Sequence, residues 1–297
     1  ATSVVQVAGF TQVASAHSEA SSTVDCASPR RSRAELTVIN KVVPSFDQAV
    51  SDVADGASVH VGGFIGPADW PAYLISALGR NGAKHLTVAC CNMSGIGPIA
   101  REQLGDEDAL RGFTGMAGTG VDHVTVALLI ERGQVRKGIT TFSAPMRGST
   151  GSAFETMLEQ GRIELELVGQ GTLAERIRAA KAGIPAFYSP VSVGTPLAAG
   201  RETRWFDGVE CLLEKAINAD FALIRAAAAD RYGNLVWEHP SSFNATMAGA
   251  ATITIAEVDR LVDVGALGPS EIEVPGVLVD RVVVRPSVPM KSWREAH

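Results

Sequence analysis

Residues 163–195, reading IELELVGQGTLAERIRAAKAGIPAFYSPVSVGT, constrain the fold of this chain more than any other stretch. Ile163, Leu165 and Leu167 alternate with Glu164 and Glu166, the period of a strand with one buried face. Gly169, Gln170 and Gly171 then break the strand. Thr172 and Glu175 stand at capping-box spacing, so Thr172 is expected to cap a helix whose first turn Glu175 closes. Leu173, Ile177 and Ala180 share one face of that helix, with Glu175, Arg176, Arg178 and Lys181 elsewhere. Gly183 and Pro185 end it, and residues 186–188 read as a second short strand. A strand, a glycine turn, a helix and a strand in that order need a parallel sheet. The turn leaves backbone N–H groups unpaired at a helix N-terminus, a natural place for an anion or an oxyanion. The same residues also fit a plain capped helix that binds nothing.

The remaining segments follow the same alternation. Residues 46–53 read as a short helix and residues 58–61 as a strand running into Gly62-Gly63-Phe64-Ile65-Gly66. Asp69 suits an N-cap, with Pro71 in the first turn of a helix that buries Leu74, Ile75 and Leu78 and stops at Gly82. Residues 86–89 form the next strand and close a first βαβ unit at Cys90-Cys91-Asn92. Residues 121–130 and 138–142 look like further core segments, and the Gly/Ser-rich loop 143–152 is placed beside the site. A helix is expected near residues 212–216, a strand at 221–224, a turn at Gly233-Asn234, a helix at 244–251 and a strand at 252–258. Residues 274–284 close the fold. Strands alternating with helices define an α/β protein. Residues 1–43, rich in Ser and Ala with a basic knot at Arg30, Arg31 and Arg33, read as an N-terminal extension that is flexible or partner-bound. Residues 44–297 form the α/β domain.

Composition excludes several functions. A net charge of -6 argues against non-specific nucleic-acid binding. No apolar run reaches the roughly 18–20 residues of a membrane span. Cys26, Cys90, Cys91 and Cys211 are too few and too irregular for a disulfide framework and fit a reducing compartment, so a cytoplasmic location is expected. No HExxH or paired His at metal spacing occurs, and no metal is expected. No G-x-S-x-G elbow occurs either.

The candidate ligand residues lie at predicted strand ends. Gly62, Gly63, Phe64, Ile65 and Gly66 follow a strand and precede a helix, where backbone can approach a ligand closely; a tight packing turn is the competing reading. Their spacing fits neither a dinucleotide fingerprint nor a P-loop. Cys91 and Asn92 end a parallel strand, where open α/β sheets hold their ligands. Asn92 suits a hydrogen-bond donor to substrate. Cys91 as a nucleophile lacks a base, and buried cysteine is usually inert. Gln170 and Gly171 complete the set. Glu164 and Glu166 are expected to meet solvent or a partner. These residues make a pocket without self-sufficient catalytic machinery.

QGTLAERIRAAKAGIPAFYSPVSVGT strongly resembles the α (A) subunit of family I CoA-transferases, the 3-oxoacid CoA-transferase group. DGASVHVGGFIGPADWPAYLISAL, ETRWFDGVECLLEKAINADFALIRAAAADRYGNLVW and VPGVLVDRVV extend the likeness over about residues 44–285. The resemblance implies an open, mostly parallel sheet with helices on both faces. It implies a transferase moving CoA from an acyl-CoA donor to a carboxylic acid. The nucleophilic glutamate would lie on a β subunit, which leaves no catalytic residue in this chain. Covalent acyl–glutamyl and glutamyl-CoA intermediates follow, in a hetero-oligomer of α2β2 size or larger. No cofactor is expected to be held permanently; the CoA thioester is a substrate. Gly62, Gly63, Phe64, Ile65, Gly66, Cys91, Asn92, Gln170 and Gly171 would then shape the acyl pocket and stabilise an oxyanion. The family's Ser-Asn-Asn is here Cys90-Cys91-Asn92. Its Gly-Glu-Asn is Pro145-Met146-Arg147-Gly148, its Cys-Gly-Ile-Pro is Ala68-Asp69-Trp70-Pro71, and a usual Gln is Met157. These departures imply a rebuilt acyl pocket. They leave two rival readings: a diverged acyl-CoA or ring-opening hydrolase, and a non-catalytic subunit that binds acyl-CoA.

Overall fold

A computed structural model of the chain describes residues 39–64, 70–93, 124–143, 152–238 and 240–286. The first strand of its main sheet is β1 (Ser58–Val61), followed by β2 (Leu86–Asn92), β3 (Val135–Phe142) and β4 (Glu164–Leu167). Later come β8 (Ala219–Asp230), β9 (Leu235–Val236), β10 (Ala251–Val262) and β11 (Arg281–Val284). The order across the sheet is β11-β10-β8-β1-β2-β3-β4, with β9 attached to β8. Every pair along that path is parallel and only β9 runs against its neighbour. The α/β class and the parallel sheet expected from the sequence are thus present. The chain builds outward from β1 through β2, β3 and β4, then returns to the other side of β1 with β8. That reversal is a topological switch point, where an open α/β sheet leaves a crevice beyond its carboxyl strand ends.

Two apolar layers cover the sheet. On one face Val59, Val61, Val88, Cys90 and Leu223 pack with residues of α2 (Ala72–Asn81), α3 (Ala127–Glu131) and α4 (Ala153–Glu159). On the other, Ala89, Cys91, Ala222, Ile224 and Ala256 meet Leu173 and Ile177 of α5 (Gln170–Lys181) and Met247 of α6 (Asn244–Met247). Alternating side-chain direction along each strand sorts the residues between the layers. The second face is rich in alanine, so α5 can lie close to the strands.

His60 belongs to that second face. Its register partners are Ala89 on β2 and Ala222 on β8, two small residues that leave room for an imidazole. It is 1% exposed. Burial lowers its pKa to about 4 from an ordinary 6.5, against an opposing influence from the Ile217 backbone. The folded state therefore keeps His60 neutral while the unfolded chain protonates it. Stability present above pH 6.5 is lost as pH falls toward 4. Protonation of His60 alone is expected to remove about 2 kcal/mol between pH 7 and pH 5. Urea unfolding of His60→Met at both pH values should show a smaller acid loss by that amount; equal losses in the two proteins would refute the assignment.

Several local expectations need correction. Residues 212–216 are not helical: β7 (Val209–Lys215) is a strand of a separate antiparallel sheet, ordered β5-β7-β6 with β5 (Ala186–Ser189) and β6 (Thr203–Phe206). A short apolar run has no period of its own, and pairing on both edges decides it. Because β5 joins this small sheet, α5 is not the crossover of a parallel βαβ unit. β4 is the last strand of the main sheet's path, so its expected buried face is only partly covered. Thr172 does not cap α5. Gly169 is the N-cap, Leu173 N bonds its carbonyl at 2.8 Å, and Thr172 is buried inside the first turn. A full capping box does occur, at Ser152 and Glu155 of α4. α1 (Phe46–Ala49) and α6 are each four residues, shorter than expected. Residues 274–284 supply a 3-10 turn, Gly276–Leu278, before β11. Residues 1–38 of the N-terminal extension, Asp69, and loop residues 144–151 lie outside the described residues, while Val42 bridges Val282 of β11, and Pro71, expected in the first turn of α2, is its N-cap.

Candidate functional site

The crevice at the switch point holds a cavity of about 400 Å³ lined by Phe64, Gln170, Gly171, Ala174, Ser242, Phe243 and Thr246. Three elements meet there. The segment after β1 delivers Phe64, the first turns of α5 deliver Gln170, Gly171 and Ala174, the turn into α6 delivers Ser242 and Phe243, and α6 itself delivers Thr246. The Phe64 ring lies 6.4 Å from those of both Phe142 and Phe243, so aromatic surface dominates one side. No side chain caps the α5 N-terminus, and the positive end of its dipole opens beside the cavity.

Glycine is required at Gly62 for a reason internal to the fold. A Cβ there would overlap the Asn244 carboxamide. That carboxamide accepts a hydrogen bond from Arg225 N at 2.9 Å, fastening the α6 turn to β8. Gly62 N in turn bonds Leu223 O at 2.9 Å. Gly63 has φ +106, and a Cβ on it would come within 2.9 Å of the buried Trp70 ring. Both glycines therefore serve close packing, as the tight-turn reading held, and this packing aims Phe64 at the cavity.

The helix after the glycine loop is held from across the sheet. Glu257 of β10 is fully buried and its Oε2 accepts from Tyr73 N at 2.9 Å and Leu74 N at 3.1 Å. Its Oε1 faces Arg285 Nε at 3.1 Å, and the Arg285 guanidinium stacks 5.0 Å from the Tyr73 ring centre. Burial pushes the Glu257 carboxyl up, while Arg285 and Arg225 pull the other way. Sequence patterning finds Leu74 and Ile75 but cannot find this carboxylate, which lies 184 residues from Tyr73.

The site residues read from sequence divide accordingly. Phe64, Gln170 and Gly171 line one cavity. Gly62 and Gly63 support it. Cys91 does not reach it: the side chain is packed in the layer that holds Leu173 and Ile177, and burial pushes its thiol up to about 12. Asn92 ends β2 level with Phe142 and is 7% exposed. Met157 packs against the layer of α2, α3 and α4. Ile65 and Gly66 lie outside the described residues. Ser242, Phe243 and Thr246 were missed, because nothing in the local pattern of that segment ties it to β1 or α5.

A second, charged cleft of about 460 Å³ separates β4 and α5 from the small sheet. The lining ions Glu166, Arg176 and Arg201 are matched internally. Glu166 meets Arg176 at 2.7 Å and Lys137 at 2.6 Å, and buried Glu214 meets Arg201 at 2.6 Å. Burial alone would raise the Glu166 carboxyl, but hydrogen bonds from Lys137 and Arg176 hold it below its ordinary value. Glu166 is thus engaged within the chain while part of its side chain still meets solvent, and Glu164 is exposed as expected.

An open parallel sheet with an aromatic and amide-lined cavity at its switch point defines a small-molecule-binding α/β protein. Comparison with known proteins makes the class specific. The family model for coenzyme A transferase matches residues 43–111 and 111–285. The A subunit of 3-oxoadipate CoA-transferase from Pseudomonas putida is 41% identical over 247 residues, covering 83% of this chain and 94% of that protein. The A subunit of a probable succinyl-CoA:3-ketoacid coenzyme A transferase from Mycobacterium tuberculosis is 36% identical, covering 86% and 98%. The acyl-CoA transferase YdiF of Escherichia coli O157:H7, solved as a thioester complex with CoA, shares the fold at 23% identity and a TM-score of 0.66. The match covers 86% of this chain and 52% of that one. The chain belongs to the coenzyme A transferase family.

Proposed function

We propose that this chain is the α subunit of an enzyme that moves CoA from an acyl-CoA donor to a carboxylic acid, working with a β subunit that supplies the nucleophilic glutamate. The observation that carries the reading is the near full-length match to the A subunit of 3-oxoadipate CoA-transferase. The β-subunit glutamate attacks the thioester carbonyl, forming an acyl–glutamyl anhydride and releasing CoA thiolate. The thiolate then attacks the glutamyl carbonyl, giving a glutamyl-CoA thioester and the donor's free carboxylate. The acceptor carboxylate repeats these steps in reverse order, leaving with CoA and restoring the glutamate. Each attack builds negative charge on a carbonyl oxygen. Fixed amide donors suit that charge because they need no reorganisation when it appears. The α5 N-terminus, Gln170 and Asn92 are the donors this chain would offer. CoA enters and leaves as a substrate, and the working particle is a cytoplasmic α2β2 or larger hetero-oligomer.

Incubating the complex of both subunits with an acyl-CoA and then recording its mass spectrum tests the reading. A CoA adduct on a β-subunit glutamate, cleaved by borohydride or hydroxylamine, is the expected result. Release of CoA without an adduct and without dependence on an acceptor acid would replace transfer by hydrolysis. Neither turnover nor trapping would leave a binding subunit.

A further inference from the structure

We infer that the start of α5 is a carboxylate site, in which the Thr172 hydroxyl and the first backbone N–H groups of the helix together hold an oxygen of the acid substrate. The inference deepens the transferase reading above, on which it rests, by naming a residue of this chain that meets the acid. Thr172 is the third residue of α5 and is 6% exposed. Its Oγ1 is buried and has no hydrogen-bond partner among the described residues. A buried hydroxyl left unpaired costs stability, and a valine of the same shape would avoid that cost. The hydroxyl turns back toward the helix start. It lies 3.6 Å from the point that a Cβ on the N-cap Gly169 would occupy, and Ser192 Oγ lies 4.0 Å from the same point. Two hydroxyls therefore converge on a space that Gly169 leaves open. Leu173 N makes the first bond within the helix, to Gly169 O at 2.8 Å, so the N–H groups of Gln170, Gly171 and Thr172 precede it and point out of the helix start. Gln170 and Gly171 also line the cavity, so the helix start opens on it. Backbone donors at the positive end of a helix suit a single negative charge, and a threonine hydroxyl adds a donor that rotates to meet the bound oxygen. The acid's carboxylate is the anion that the transferase reading brings to this cavity.

The test is binding to the intact complex with its β subunit, with sodium acetate and sodium succinate as probes and sodium chloride at equal ionic strength as the reference. At least one of the two carboxylates is expected to raise Tm above the chloride value. Thr172→Val is expected to keep a ligand-free Tm no lower than the original while weakening the Kd of that carboxylate about tenfold to a hundredfold, the loss of one hydrogen bond to a charged group. Thr172→Ser keeps the hydroxyl, and its Kd is expected to stay within about threefold of the original. A purely structural hydroxyl predicts the reverse, a lower ligand-free Tm in Thr172→Val with Kd retained. The inference is overturned by an unchanged Kd in Thr172→Val, by a Thr172→Ser complex that binds as weakly as Thr172→Val, or by no carboxylate shift beyond that of chloride in the unmodified complex. None of these readouts needs turnover. The carboxylate site can thus fail while the glutamyl-CoA adduct still forms, and a missing adduct leaves the site to be judged on binding alone.

Discussion

Glu257→Leu is expected to lower the free energy of unfolding by about 3–5 kcal/mol, the range for removing one partner of a buried ion pair. Three losses combine. Tyr73 N and Leu74 N, in the first turn of α2, lose their shared acceptor. Helix starts normally use a nearby Ser, Thr or Asp, but here Pro71 is the N-cap and offers no side-chain bond. Arg285, 10% exposed at its side chain, keeps Asp259 at 2.9 Å but loses its buried counter-ion. Its guanidinium also packs on Tyr73, so a shift of Arg285 loosens α2 a second time. Glu257→Gln keeps the shape and one acceptor oxygen, and about half the loss is expected. Urea unfolding at constant pH measures both variants. A Glu257→Leu protein within about 1 kcal/mol of the original would show that the α2 N-terminus has another anchor. Because α2 follows the glycine loop directly, the same variant should raise KM in the intact complex before the protein unfolds.

The contrast between Glu257 and Leu74 shows what was legible in the sequence. Leu74, Ile75 and Leu78 announce a helix by spacing alone, and Gly82, at φ +81, ends it where expected. Strand β1 runs over the predicted residues for the same local reason, an apolar alternation bounded by turn residues. What failed was non-local. Leu212 and Leu213 fit either period, and only pairing with β5 and β6 makes them a strand. Thr172 had the right spacing to Glu175, but Val168 N is still paired with Thr140 O on β3. The chain therefore leaves the sheet just before Gly169, and the helix starts ahead of Thr172. The site divides in the same way. Phe64, Gln170 and Gly171 lie where strand ends and helix starts put them. Phe243 and Thr246 enter through the Asn244–Arg225 bond, a contact across 19 residues that no local pattern encodes. Gly62 was visible as a glycine, yet its purpose depends on a carboxamide 182 positions away.

Asn92→Ala is expected to lower kcat of the intact complex by roughly tenfold to a thousandfold, the range for removing one oxyanion donor. Extending the register of His60 with Ala89 sets Gly63 level with Asn92, at the carboxyl end of the sheet beside the switch point. Its backbone is fixed by pairing with β3 at Phe142, and the Cys90 thiol lies 3.3 Å from its carbonyl oxygen. Thr140 Oγ1 donates to Cys91 O at 3.0 Å and steadies the same strand end. A carboxamide on so firmly held a backbone stays where the strand end puts it, which an oxyanion donor needs. The resemblance read from the sequence implies a second amide where this chain has Cys91, whose buried, protonated thiol offers a much weaker hydrogen bond. The remaining amide should therefore carry more of the stabilisation. A structural role for Asn92 predicts something different: a loss of about 1–3 kcal/mol in stability with kcat per folded enzyme retained. Asn92→Asp separates the two. It keeps the side-chain shape but replaces the donor with a negative charge facing the developing oxyanion, so kcat should fall at least as far as in Asn92→Ala. If kcat stays within twofold in both variants, Asn92 is not in the site, and the donors must come from the α5 N-terminus and the β subunit.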